Sequence, residues 1–151
     1  LAWWAQQADR FWFDPQRTHV VGLSAGAALA FLGLNRHPIA KRVVSVYGVT
    51  DWSIVPGAVT TLPHRLLWGG RRPPDWREQS PLHVFQQPTP VLLMHGTADR
   101  VVVPAHSERM AEDRRARGLP VELRWYPGEG HGFLRDATHP GHKLIADFLK
   151  G

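Results

Sequence analysis

The chain alternates short apolar runs with longer stretches whose apolar positions recur at helical spacing. Residues 19–23 (HVVGL), 43–49 (VVSVYGV), 91–94 (VLLM) and 121–126 (VELRWY) read as strands. The first three are β-branched or leucine-rich and nearly continuous, which is the pattern of strands buried on both faces. Residues 1–12 place Trp3, Trp4, Ala8, Phe11 and Trp12 at helical spacing, and Asp14-Pro15 breaks the pattern. Residues 25–35 are rich in Ala and Leu and predict a helix ended by His37-Pro38. Residues 104–117 predict an amphipathic helix with a charged outer face, turned by Gly118-Leu119-Pro120, and residues 140–150 a last helix. Between the second and third strands, residues 51–87 mix Pro, Gly, Trp and Arg without a period, and predict an irregular excursion.

Strands and helices that alternate in this way predict an α/β fold: a mainly parallel sheet with helices on both faces. Such sheets bind ligands outside the carboxyl ends of their strands. The residues just past each strand are Ser24, Asp51, Asp99 and His131. A serine, a carboxylate and a histidine at one sheet edge are the parts of an acyl-transfer triad. The serine is a weak nucleophile until the histidine takes its proton, and the carboxylate holds the histidine in the right tautomer. Ser24 lies between Gly22 and Gly26, where a sharp strand-to-helix turn predicts that a side chain at either glycine would clash. The same turn aims the backbone N–H of Ala25 at a developing oxyanion, in the favourable field of a helix N-terminus. Asp99 is the preferred acid. Asp51 also follows a strand and is read as a turn or capping residue, with the acid role as its alternative.

Composition narrows the partners. The 151 residues suffice for one modest domain, predicted as a single unit over 1–151. The net charge of +5 comes from 18 basic and 13 acidic residues scattered without a basic stripe, so a nucleic-acid partner is not expected. No apolar run approaches the roughly 20 residues of a membrane span. Cysteine is absent, which removes thiolate chemistry and Cys-based metal sites. His139 and His142 have an i, i+3 spacing that suits a metal but lack a third ligand. They and His106 are read as histidines at helix starts or on exposed faces, and His95 as a packed histidine bonding backbone. Trp52, Trp68 and Trp76 lie in or beside the excursion, either as core or as the lining of a substrate pocket.

Three motifs together resemble the α/β-hydrolase family: "GLSAG" at 22–26, "MHGTADRVVVP" at 94–104 and "GEGHGF" at 128–133. The stretch "SPLHVFQQPTPVLLMHG" is similar to the approach to the acid strand in prolyl-oligopeptidase-like, dienelactone-hydrolase-like and related carboxylesterase members. The resemblance implies a serine hydrolase for carboxylic esters, or a peptidase of the prolyl-oligopeptidase kind, acting on a small ester or peptide without cofactor or metal. It also implies three or four further strands before residue 1, in a part that supplies a second oxyanion N–H. On that expectation the natural protein is longer, and this piece alone is poorly active. Its first strand is then an exposed apolar edge open to self-association, and a non-catalytic interaction module becomes the alternative.

Overall fold

The computed structural model describes residues 3, 6–54, 74–75 and 78–151. A short helix α1 (Ala8–Phe11) and a 3-10 turn (Pro15–Arg17) lead into β1 (His19–Leu23), α2 (Ala25–Arg36) and β2 (Arg42–Val46). After the excursion come α3 (Pro81–Val84), β3 (Val91–Gly96), α4 (Ala105–Ala116), β4 (Val121–Tyr126) and α5 (Gly141–Lys150). The four strands are all parallel and lie in the order β1-β2-β3-β4.

Because successive side chains of a strand point to opposite faces, an unbroken apolar strand serves two cores. Val43 of β2 and Val91 and Leu93 of β3 join Ala27, Phe31 and Leu34 of α2 and Met110 and Ala111 of α4. Their neighbours Val44, Val46, Leu92 and Met94 face the other way, against Phe133, Leu134 and the stripe Leu144, Ile145, Phe148 and Leu149 of α5. That stripe repeats at one-turn spacing, which is why residues 141–150 fold as a helix lying on the sheet. On β1, Val21 and Leu23 remain 41% and 44% exposed, so its apolar edge is open among the described residues.

One cation holds the loops that feed β3 and β4. Arg114 of α4 is fully buried, and its guanidinium donates to the carbonyls of Gln87, Thr89 and Pro120 at 3.1, 2.8 and 3.3 Å. Burial lowers its pKa only to about 10, so it stays charged at neutral pH. Arg114→Met should keep the hydrocarbon packing and strand those acceptors, at a cost of about 2 kcal/mol. Urea denaturation checks this. A fall in midpoint at unchanged slope is expected, and an unchanged midpoint would mean that the carbonyls find water freely.

Two elements differ from the sequence pattern. β2 ends at Val46 rather than 49, because Tyr47 turns into left-handed backbone at φ 39°. The helix expected over 1–12 is interrupted: among the described residues Trp3 is helical, residues 6–7 turn, and Ala8–Phe11 form a helical segment that buries none of its residues, with Trp12 leaving it at φ 51° and 95% exposed. Trp52 is core: it packs on Ala28 and its ring N–H donates to the Gln79 carbonyl. Trp68 and Trp76, the other two candidates for a pocket wall, lie outside the described residues. The same is true of most of the excursion.

Candidate active site

The corner between β1 and α2 decides how Ser24 is presented. Ser24 sits at φ 53° and ψ −124°, a conformation that costs a non-glycine residue on the order of 1–3 kcal/mol. A serine ahead of a helix ordinarily caps it, yet Ser24 makes no side-chain cap bond. Its N–H donates instead to the Val46 carbonyl at 3.0 Å, which ties the corner to the neighbouring strand. Gly22 is required by space: a Cβ there would lie 2.5 Å from the Ala27 Cα and 2.8 Å from the Gly26 oxygen. Gly26 is a correction to the expectation of a clash, since a Cβ on it meets no described atom within 4 Å. It faces outward on the first turn of α2, whereas Gly22 lies where strand and helix meet. Ala25 opens α2, so its N–H is one of the first-turn donors that a helix leaves unused.

The loop after β3 carries Asp99, whose side chain is buried. Its Oδ1 accepts the N–H groups of Val101 and Val102 at 2.8 and 3.0 Å, a local turn that fixes the carboxylate. Its Oδ2 is thereby left for His131, whose Nδ1 lies 2.8 Å away. The Nε2 of His131 lies 3.1 Å from the Ser24 Oγ. An ionised carboxylate only accepts, so the proton sits on Nδ1, and Nε2 is free to accept the Ser24 O–H. Residues 24, 99 and 131 therefore form one hydrogen-bonded line across the carboxyl ends of β1, β3 and β4.

Close packing of two loops sets that line. Gly96, the last residue of β3, has the Glu129 backbone directly over it, and a Cβ would lie 2.3 Å from the Glu129 oxygen. The same oxygen accepts the Ala98 N–H at 2.9 Å. The "HG" of one motif and the "GEGHG" of another are thus two halves of one contact, which seats His131 beside Asp99.

Two contributors were not legible as site residues. Tyr47, buried at the end of β2, lays its ring on the His131 imidazole with centroids 4.6 Å apart. Its corner also closes on the serine, because the Val49 N–H donates to the Ser24 carbonyl at 3.2 Å. The signal available in the sequence was Gly48, which marks a turn inside an apolar run. His106 is the second, and it corrects the reading of an exposed, unpaired histidine. It is 2% exposed, and its Nδ1 accepts the N–H groups of Thr50 and Asp51 at 3.3 and 3.2 Å. Asp51 takes the Ser53 N–H at 2.7 Å and the Arg109 guanidinium at 2.9 Å, as a turn residue does, with Asp99 in the place beside His131. His139 is half-buried against the Tyr126 and Phe133 rings and its Nδ1 accepts the Gly141 N–H, whereas His142 is exposed. Among the described residues no group of three His, Asp or Glu side chains is placed to hold a metal, and no helix is long and apolar enough to cross a membrane.

A parallel sheet that exposes a serine on a strained strand-to-helix corner has the α/β-hydrolase architecture. Within it, the chain belongs to the prolyl oligopeptidase family, whose family pattern matches residues 1–151. It is similar to the acylamino-acid-releasing enzyme of Rattus norvegicus, with 30% identity over 137 residues that cover 79% of this chain and 18% of the rat enzyme. Among solved structures it resembles a puromycin-hydrolyzing peptidase of Mycobacterium tuberculosis, at 29% identity and a TM-score of 0.73, over 85% of this chain and 21% of that one. It shares its fold with a truncated carbohydrate esterase from gut microbiota, at 22% identity and a TM-score of 0.82, over 97% of this chain and 63% of that one. The chain thus spans less than two thirds of each of these proteins.

Proposed function

We propose that the chain carries the catalytic centre of a serine hydrolase that works through an acyl-enzyme. The observation that carries this reading is the continuous line Asp99–His131–Ser24, with contacts of 2.8 and 3.1 Å ending on a strained serine. In the first half-reaction Ser24 Oγ attacks a carbonyl carbon while its proton passes to His131 Nε2. The tetrahedral oxyanion takes a hydrogen bond from the Ala25 N–H, and His131 then protonates the leaving alcohol or amine. In the second half-reaction water replaces the leaving group, gives its proton to His131, and the acid departs as Ser24 recovers its own. Asp99 stays ionised throughout and stabilises the imidazolium.

The same residues serve an ester or an amide carbonyl. A small carboxylic ester is the least demanding substrate, because its leaving group needs little help. The peptide bond is the second reading, favoured by the names of the rat and mycobacterial relatives at 30% and 29% identity. A fluorophosphonate probe tests the centre: wild type should label, and Ser24→Ala and His131→Ala should not. Labelling that survives Ser24→Ala would remove Ser24 from the role. A folded wild type that does not label would favour a non-catalytic interaction module. Hydrolysis of p-nitrophenyl esters compared with aminoacyl p-nitroanilides separates the two substrate classes.

A further inference from the structure

The acid has a second histidine on the same oxygen. His95, the penultimate residue of β3, is fully buried, and its Nε2 lies 3.5 Å from the Asp99 Oδ2 that His131 also contacts. Its hydrogen bonds fix where its proton sits. The Val102 carbonyl, 2.8 Å from Nε2, can only accept, so Nε2 carries the hydrogen. Nδ1 is then a bare lone pair, and the Ser107 hydroxyl, 2.7 Å away and fully buried, donates to it. The Val102 carbonyl therefore sets the tautomer of His95, and the Ser107 hydroxyl, which can donate or accept, follows it and braces the ring from α4. The resulting N–H is donated to the Val102 carbonyl, with Asp99 Oδ2 3.5 Å from the same nitrogen.

From this we infer that His95, held between the Val102 carbonyl and the Ser107 hydroxyl, is a positioning residue of the acid. Its Nε2–H adds a long contact to Asp99 Oδ2 and grips Val102, whose own N–H holds Oδ1. Oδ1 is thus held through Val102, and the Nε2–H dipole lies beside Oδ2, on a frame anchored in α4 and independent of His131. The inference rests on the triad reading above.

The electrostatic consequence has a definite sign. A carboxylate that shares its charge with a second donor is a weaker partner for the imidazolium. Remove that donor and the Asp99 charge falls more fully on His131⁺, which holds its proton to higher pH. The titratable groups that face His95 are Asp99 and His131 from the two loops and His106 beside Ser107 on α4. Trp125 of β4 packs across it without charge, with ring centroids 6.3 Å apart. Burial, the largest influence on His95, lowers its pKa, so it remains the neutral donor that this geometry requires.

The test is a pH profile of kcat/KM for ester hydrolysis in wild type, His95→Leu, His95→Gln, Ser107→Ala and Asp99→Asn. His95→Leu should lose several-fold in kcat/KM, because the Val102 turn that holds Asp99 loosens and the N–H dipole beside Oδ2 is lost, and should move the acidic limb upward. His95→Gln keeps an N–H donor near the Nε2 position and should restore most of the rate. Ser107→Ala removes the brace on Nδ1 and lets the ring tilt away from Asp99, and should shift the limb in the same direction by less. A role in packing alone would lower the thermal midpoint of these variants and leave the limb in place, which would overturn the inference. If His95→Leu does not fold, Ser107→Ala decides: an unmoved limb and rate overturn it, and an upward shift supports it. Asp99→Asn separates the two levels. If turnover survives in it, the triad reading fails and this inference with it. If it abolishes turnover while His95→Leu behaves as wild type, only the positioning role falls.

Discussion

Asp99→Asn should leave the fold intact and lower kcat by about 10⁴-fold, the loss typical when the acid of such a triad becomes an amide. The reason lies in the proton on His131 Nδ1. Asp99 Oδ2 accepts that proton at 2.8 Å, and only this tautomer leaves Nε2 to accept from Ser24. An asparagine held by the same Val101 and Val102 N–H groups through its carbonyl oxygen would turn its NH₂ toward His131. The histidine would answer with an Nδ1 lone pair and an Nε2–H, which is a donor where a base is needed. The matching control is Asp51→Asn. Asp51 is bound by Ser53 and Arg109. Burial by itself would raise its pKa, and the bonds from Ser53 and Arg109 outweigh it and bring the value below the ordinary range. Its loss should therefore cost on the order of 1 kcal/mol of stability, with the Arg109 side discounted because that side chain is half exposed. Turnover should stay within a few-fold of wild type. Ester hydrolysis and thermal midpoints of both variants check this, and the reverse pattern would move the acid to the end of β2.

What the sequence showed, and what it hid, divides along physical lines. Strand identity was readable because burial on both faces demands unbroken apolar runs, as in Val43–Val46 and Val91–Met94. That Ser24, Asp99 and His131 come together was readable because an α/β sheet gathers the residues just past its strands at one edge. Gly22 was readable as a close approach, since the corner puts the α2 backbone on top of it. Gly26 was over-read: the motif's symmetry is not matched by symmetry in space. Tyr47 was hidden because its left-handed turn interrupts a run, VVSVYGV, that looks like uninterrupted strand. His106 was hidden because its partners are backbone N–H groups of Thr50 and Asp51, more than fifty residues upstream, and no local pattern reports such a contact. His95 was seen as packed against backbone, which the Val102 carbonyl bears out. Its relation to Asp99 depends on how the turn after β3 folds back, not on spacing.

The buried state of His106 carries the other large effect, a loss of stability in acid. Its Nδ1 accepts two backbone N–H groups, so protonating it would turn an acceptor into a donor facing donors. Burial is the largest influence and lowers its pKa from 6.5 to about 4, against the opposing pull of Asp51, with His95 and Arg109 adding to the depression. In the unfolded chain the same imidazole titrates near 6.5. Between these values the unfolded state binds the proton and the folded state does not. Stability from this group is therefore fully present above pH 6.5 and declines as the pH falls to about 4, by about 3 kcal/mol in all. Urea denaturation at pH 7.5, 6, 5 and 4 should show this slope in wild type and a shallower one in His106→Gln. Some slope should remain, since burial lowers the pKa of His95 as well. An equal slope in the two proteins would assign the acid sensitivity elsewhere. The effect reaches the chemistry because His106 anchors Thr50 and Asp51, just past the corner that covers His131 and bonds Ser24. Acid should therefore cut activity in two separable ways. Loss of the chemical step in a folded protein reverses at once when the pH is restored. Unfolding driven by His106 follows protein stability, and weakens in His106→Gln while the reversible loss is unchanged.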